Sequence, residues 1–192
     1  MQVYSIDRVI QYSLLSRLLQ NPLKHKDIPV IKQAAAKLSP KAEIEINKII
    51  SILSKKLNDQ QNEQALQVEY AHLFLLPEGV KPYESVYRSR EPLMRQESWE
   101  QVKRFYRENG LAPDLSQLHP EDHASVELAC MAYLAEHDTE RTVQNKFLEQ
   151  HLLQWLPDFL RDLKQNPYAE FYQLVAEFGQ EFLETERILF DL

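Results

Sequence analysis

Apolar residues recur three or four positions apart along most of this chain, and nowhere do they alternate in the two-residue rhythm of a half-buried strand. Helices are the regular element this pattern supports. With three glycines in 192 residues, prolines supply the breaks. Ile6, Val9, Ile10, Leu14 and Leu18 form a first stripe, which stops near Asn21-Pro22. Ser39-Pro40 has the form of an N-cap followed by a first-turn proline, opening the stripe Ile46, Ile49, Ile50, Leu53 and Leu57. Leu66, Tyr70, Leu73 and Phe74 share one face of the next helix. Ser98 and Gln101 match a capping box ahead of Val102, Phe105 and Tyr106, and Asn109-Gly110 closes that helix. Pro120 stands at an expected first helical turn, and the run from Glu121 to Glu136 is apolar on most sides, as a buried central helix would be. Further helices are expected over Val143 to Trp155, briefly after Pro157, and through Phe171 to Phe182. The expectation is an all-α fold of about nine helices.

A chain of this length is expected to form one domain, or two small helical lobes sharing a core, and to bury roughly 70% of its unfolded surface. Two stretches lack a helical period. Leu75 to Glu97 carries Pro77, Pro82 and Pro92 with Tyr83 and Tyr87, and irregular segments of that length inside compact domains are often binding loops. Leu111 to His119 carries Pro113 and is an expected hinge. The division would be an N-terminal portion of about 1–110, a hinge of about 111–120 and a C-terminal portion of about 121–192. Exchange of portions about such a hinge would give a homodimer.

Twenty-nine acidic against 22 basic residues leave a formal charge of −7, which repels a nucleic acid backbone and favours a basic peptide. Cys130 is the single cysteine, so the chain holds neither an internal disulfide nor a cysteine-pair motif, in keeping with a reducing cytosol. No apolar run reaches the roughly 20 residues that cross a bilayer. The first residues lack the basic and apolar regions of a leader. A cytoplasmic location without stable membrane insertion is expected.

Glycine-rich phosphate loops, a nucleophile elbow and a zincin helix are all missing, and no cofactor is expected. The one dense polar cluster is His119-Pro120-Glu121-Asp122-His123. It admits three readings. His119, Asp122, His123 and Glu127 are the residue types of a small metal-dependent hydrolase, although Pro120 biases His119 out of helical geometry. Carboxylates in a first turn otherwise favour the positive helix end. Acidic groups lining a groove would pair with the arginines of a bound peptide, while nearby aromatic residues hold its apolar part.

Four segments in order narrow these readings. Glu69-Tyr70-Ala71-His72-Leu73-Phe74 is similar to an aromatic-x-x-Leu-Phe motif, and Pro82-Tyr83-Glu84-Ser85-Val86-Tyr87 to a recurrent loop pattern. Pro120-Glu121-Asp122-His123, followed by Glu127-Leu128, is similar to a Glu-Pro-x-Asp-His hinge motif. His151 to Pro157 and the aromatic last helix complete the set. Together they resemble the TorD/DmsD/NarJ family of redox-enzyme maturation chaperones. The resemblance implies an all-α cytoplasmic chaperone that is not an enzyme. Its partners would be a molybdopterin oxidoreductase precursor and the twin-arginine signal peptide of that precursor, held until cofactor insertion. It also implies apolar peptide contacts at Tyr70, Leu73 and Phe74, with Tyr83, Ser85 and Tyr87 from the loop and Pro120, Asp122 and His123 shaping the groove at the hinge. The chain departs from the pattern at His119, where the hinge motif has Glu, at Arg95-Gln96, where many members have a glycine turn, and at Glu78, where some have Trp.

Overall fold

The computed structural model of the chain describes residues 2–90, 93–112, 119–137 and 140–192. Helices α1 (Gln2–Gln20), α2 (Asp27–Ala35), α3 (Pro40–Lys56) and α4 (Gln60–Tyr70) follow one another through short turns. After them come α5 (Glu84–Arg88), α6 (Glu97–Glu108), α7 (Ala124–His137), α8 (Thr142–Phe147), α9 (Leu153–Gln165) and α10 (Phe171–Phe190). No strand occurs among the described residues, and the fold is all-α. A π turn, Leu148–Leu152, joins α8 to α9 as one rod. Pro113, on which the expected hinge was placed, lies outside the described residues.

The stripes read from the sequence face a common interior. Leu14, Leu15 and Leu18 of α1, Leu128 and Met131 of α7, and Phe178 and Phe182 of α10 belong to one apolar cluster. Helix α1 packs along α7 and also meets α10, so the two ends of the chain share a core. A buried polar knot fixes that junction. Arg8 grips Glu186 through Nε–Oε1 at 2.6 Å and Nη2–Oε2 at 2.7 Å. Tyr12 donates to the same carboxylate at 2.6 Å, and Arg8 also donates to Gln144 at 2.8 Å. A two-pronged guanidinium–carboxylate contact with its remaining valences filled is the arrangement in which a buried ion pair is tolerated.

Several local expectations are corrected. Helix α6 begins at Glu97, so Ser98 lies inside it, and its buried hydroxyl has no partner among the described residues instead of capping. Ser39 does precede α3, but its side chain caps nothing; its N–H donates to Asp7 at 2.9 Å. The central helix starts at Ala124, three residues after Glu121, where the expected run begins, because 120–123 form a bonded turn. Pro157 does not start a new helix but sits inside α9. It is the fifth residue of α9, just past the π turn, where the backbone ladder is already interrupted. The helix carrying Tyr70 changes at that residue into a π turn, Ala71–Leu75. Gly79 packs against this turn so closely that a Cβ would run into the carbonyls of His72 and Leu73. The proline-rich stretch is also less irregular than expected, since it contains α5.

Candidate functional site

The expected loop and hinge meet in space. Tyr83 and His123 form an isolated antiparallel bridge, in which Glu84 N–H donates to the Asp122 carbonyl and Ala124 N–H to the Pro82 carbonyl, both at 2.9 Å. The Asp122 side chain adds a third tie, its Oδ2 accepting Ser85 N–H at 3.0 Å in the first turn of α5. A carboxylate there satisfies an N–H that a five-residue helix leaves unpaired. Burial pushes the Asp122 carboxyl above its ordinary value, against the Ser85 hydrogen bonds that favour its charged form.

His123 plays the same part for α7. Its Nδ1 accepts the Ser125 N–H at 3.1 Å, and the Ser125 hydroxyl lies 2.8 Å from the same nitrogen. Burial, reinforced by His119, holds its pKa well below the usual histidine range. An uncharged ring is what an accepting Nδ1 requires. His119 stacks on it with ring centroids 3.9 Å apart. The other face of this joint is α1. His119 Nε2 stands 2.6 Å from the main-chain oxygen of Gln20, and the Tyr70 hydroxyl donates to that oxygen at 3.2 Å. Gln20 is the last residue of α1, and its carbonyl has no partner within its own helix.

Beneath the joint lie buried acids. Glu84 is fully buried and is bonded by Arg88 and by His151 Nδ1 at 3.1 Å. Glu127, also fully buried, accepts Trp155 Nε1 at 3.1 Å. Burial first, and then the nearby Glu84 charge, raises the Glu127 carboxyl well above the ordinary range. Favouring the protonated form lowers the cost of holding two acids close together away from solvent.

Beside the joint, between α1, the end of α6 and α7, a groove of about 530 Å³ opens. Its walls include Gln20, Tyr106, Val126, Ala129 and Tyr133, and no described residue lining it carries a charge. Gly110, at φ +67°, turns the chain at one edge and lets Leu111 N–H reach the Tyr106 carbonyl at 2.8 Å. Such an uncharged concavity, with more apolar than polar surface, suits an apolar segment of a ligand. Cys130 also lines it, but burial pushes the thiol pKa up and keeps it unreactive.

The sequence pattern of the nitrate reductase delta subunit family matches residues 35–161. The chain belongs to this family. Among relatives of this nitrate reductase delta subunit family member, the chaperone protein TorD of Shewanella pealeana is 28% identical over 96% of the chain and 91% of its own length. TorD of Vibrio cholerae is 29% identical over 94% of the chain and 90% of its own length. The Tat proofreading chaperone DmsD of Salmonella typhi is 29% identical over 62% of the chain and 59% of its own length. A crystal structure described as that of a redox enzyme maturation protein from Archaeoglobus fulgidus superposes with a TM-score of 0.57. It is 21% identical and covers 92% of the chain and 93% of its own length, which shows a shared fold.

The nine residues that the family resemblance singled out gather around this joint, yet none lines the groove. Leu73 and Phe74 are core, Phe74 packing edge-to-face on Tyr70 at 4.8 Å and Tyr172 at 5.1 Å. Tyr70 is buried too, and that burial, with Tyr83 nearby, pushes its phenol up to about 12. Ser85, Asp122 and His123 are buried in the contacts just described. Tyr83, Tyr87 and Pro120 are half-buried; Tyr83 stands edge-on to His123, and Tyr87 donates to Asp162 at 3.2 Å. The hydrolase constellation does not assemble. His119 and His123 lie face to face, Asp122 is turned to Ser85 and Glu127 to Trp155. No group of three His, Cys, Asp or Glu that could hold a metal occurs among the described residues. The groove residues Ser16, Gln20 and Tyr133 escaped sequence reading because they belong to no motif, and Ala129, expected within the buried central helix, is exposed. Tyr133, half-exposed on an otherwise apolar helix, was the one visible signal.

Proposed function

We propose that this protein is a cytoplasmic chaperone that binds the twin-arginine signal peptide and apo form of a molybdopterin oxidoreductase, holding it for cofactor insertion, and catalyses no reaction itself. The uncharged groove between α1 and α7 carries this reading. It lies against the joint that the family motifs build, and its walls match the apolar stretch of a leader rather than its arginines. The relatives named TorD and DmsD support the chaperone role, and the second is described as a Tat proofreading chaperone. The motif residues act here by holding the loop, α7 and the end of α1 in register around the groove. Asp122, committed to Ser85 and buried, takes that role in place of direct pairing with a ligand arginine. The net charge of −7 supplies the long-range attraction for a basic leader.

Calorimetric titration with synthetic twin-arginine leader peptides tests the proposal. Saturable binding that weakens when the apolar stretch is replaced by serine supports it. A folded protein that binds none of the leaders refutes it.

A further inference from the structure

One wall of the groove ends at an atom that two distant side chains share. Ser16 and Gln20 face the groove from the last turn of α1, and that turn ends at the Gln20 carbonyl. Two side chains from distant parts of the chain converge on this oxygen: Tyr70 from the end of α4 at 3.2 Å, and His119 from the turn before α7 at 2.6 Å. A carbonyl oxygen has two lone pairs, so both donors are accommodated at once. The far face of the His119 ring is itself fixed, stacked on a His123 that cannot turn without breaking its contacts with Ser125. Arg17, one turn earlier, is held by Asp27 at 2.7 Å and does not compete for this oxygen. The side-chain amide of Gln20 makes no hydrogen bond among the described residues, which leaves it open to a ligand in the groove.

We propose that His119 is a positioning residue for the groove: together with Tyr70 it clamps the Gln20 carbonyl, and so sets where the free Gln20 amide meets the backbone of a bound peptide. The inference rests on the groove being the leader site. The role needs a donor, which the histidine ring supplies and a charged carboxylate at this position could not. In this arrangement Tyr70 acts on the ligand through α1 instead of touching it.

Two measurements separate this from a general loss of structure. The first is titration with a synthetic peptide carrying a twin-arginine pair and an apolar run of about 12 residues. His119→Phe keeps the ring stack but loses the donor, and is expected to weaken binding by about five-fold. His119→Gln restores a donor and should return affinity to within about two-fold of the parent. Equal affinity for His119→Phe and the parent, or a His119→Gln variant as weak as His119→Phe, overturns the proposal. The second needs no ligand. Tyr70→Phe and His119→Phe each leave the oxygen one donor, whereas the double variant orphans it, so its loss of stability by urea denaturation should exceed the sum of the single losses. Strict additivity overturns the shared clamp. Should no leader bind the parent while the double variant is more than additive, the clamp stands and the leader-site reading fails.

Discussion

The Asp122 carboxylate and the Ser85 main-chain N–H lie 37 residues apart in sequence and 3.0 Å apart in space. That contact, with the Tyr83–His123 bridge beside it, fastens a proline-rich loop to the turn that starts α7. An acidic residue followed by histidine, easily mistaken for an acid–base pair, here serves to cap two helices. Asp122 caps α5 and His123 caps α7.

Asp122→Ala should therefore act through the fold. Loss of a capping carboxylate that also leaves the buried Ser85 N–H unpaired is expected to cost about 1–2 kcal/mol in urea denaturation. Leader affinity should fall by the same factor at low and at high salt. A loss confined to low salt would mean that the carboxylate meets the ligand's charge directly.

Glu127 governs a pH dependence. Its folded-state carboxyl is raised well above the ordinary value, first by burial and then by Glu84, so the native state holds a proton that the unfolded chain releases. Its stabilising contribution is complete below the usual carboxylate range and is lost as pH rises through the folded value. His123 has the opposite sign: with its pKa lowered, its contribution is lost as pH falls below the usual histidine range. Glu127→Gln keeps a neutral donor and acceptor at the same place. The variant should gain stability relative to the parent between about pH 5 and 8, read from denaturation midpoints. A constant difference across that range would show that the Glu127 carboxyl is not raised by folding.

Glu186 ties the last helix to the first. Glu186→Ala leaves the Arg8 guanidinium buried and unpaired, and strips Tyr12 of its acceptor. Breaking a buried pair in this way costs about 3–5 kcal/mol. The Arg8→Met, Glu186→Leu double variant should recover most of that loss, since no charge then remains in the apolar junction. Chemical denaturation of the parent and the two variants measures both effects.

The helices were legible because each buries a regular stripe: the Ile46 to Leu57 series and the Phe171 to Phe182 series lie where their spacing placed them. Termini were less so, as at Ser98 and Pro157, because a cap or a break depends on what the neighbouring backbone already bonds. The approach of Tyr70 to Gln20 spans 50 residues and that of His119 to Gln20 spans 99, so neither leaves a local pattern. The groove was invisible for the same reason. Its walls come from α1, α6 and α7, and small or neutral residues such as Ser16, Ala129 and Gly110 carry no motif. The motifs instead marked the buried joint that supports it.

Ala129 offers the most direct measurement, since it is exposed, lines the groove and contributes nothing to the core. Ala129→Trp fills the space between α1 and α7 from the solvent side. Leader affinity by titration is expected to drop by at least about ten-fold while the denaturation midpoint stays within experimental error of the parent. Unchanged leader affinity in the folded Ala129→Trp protein would place the peptide elsewhere and contradict the assignment of this groove.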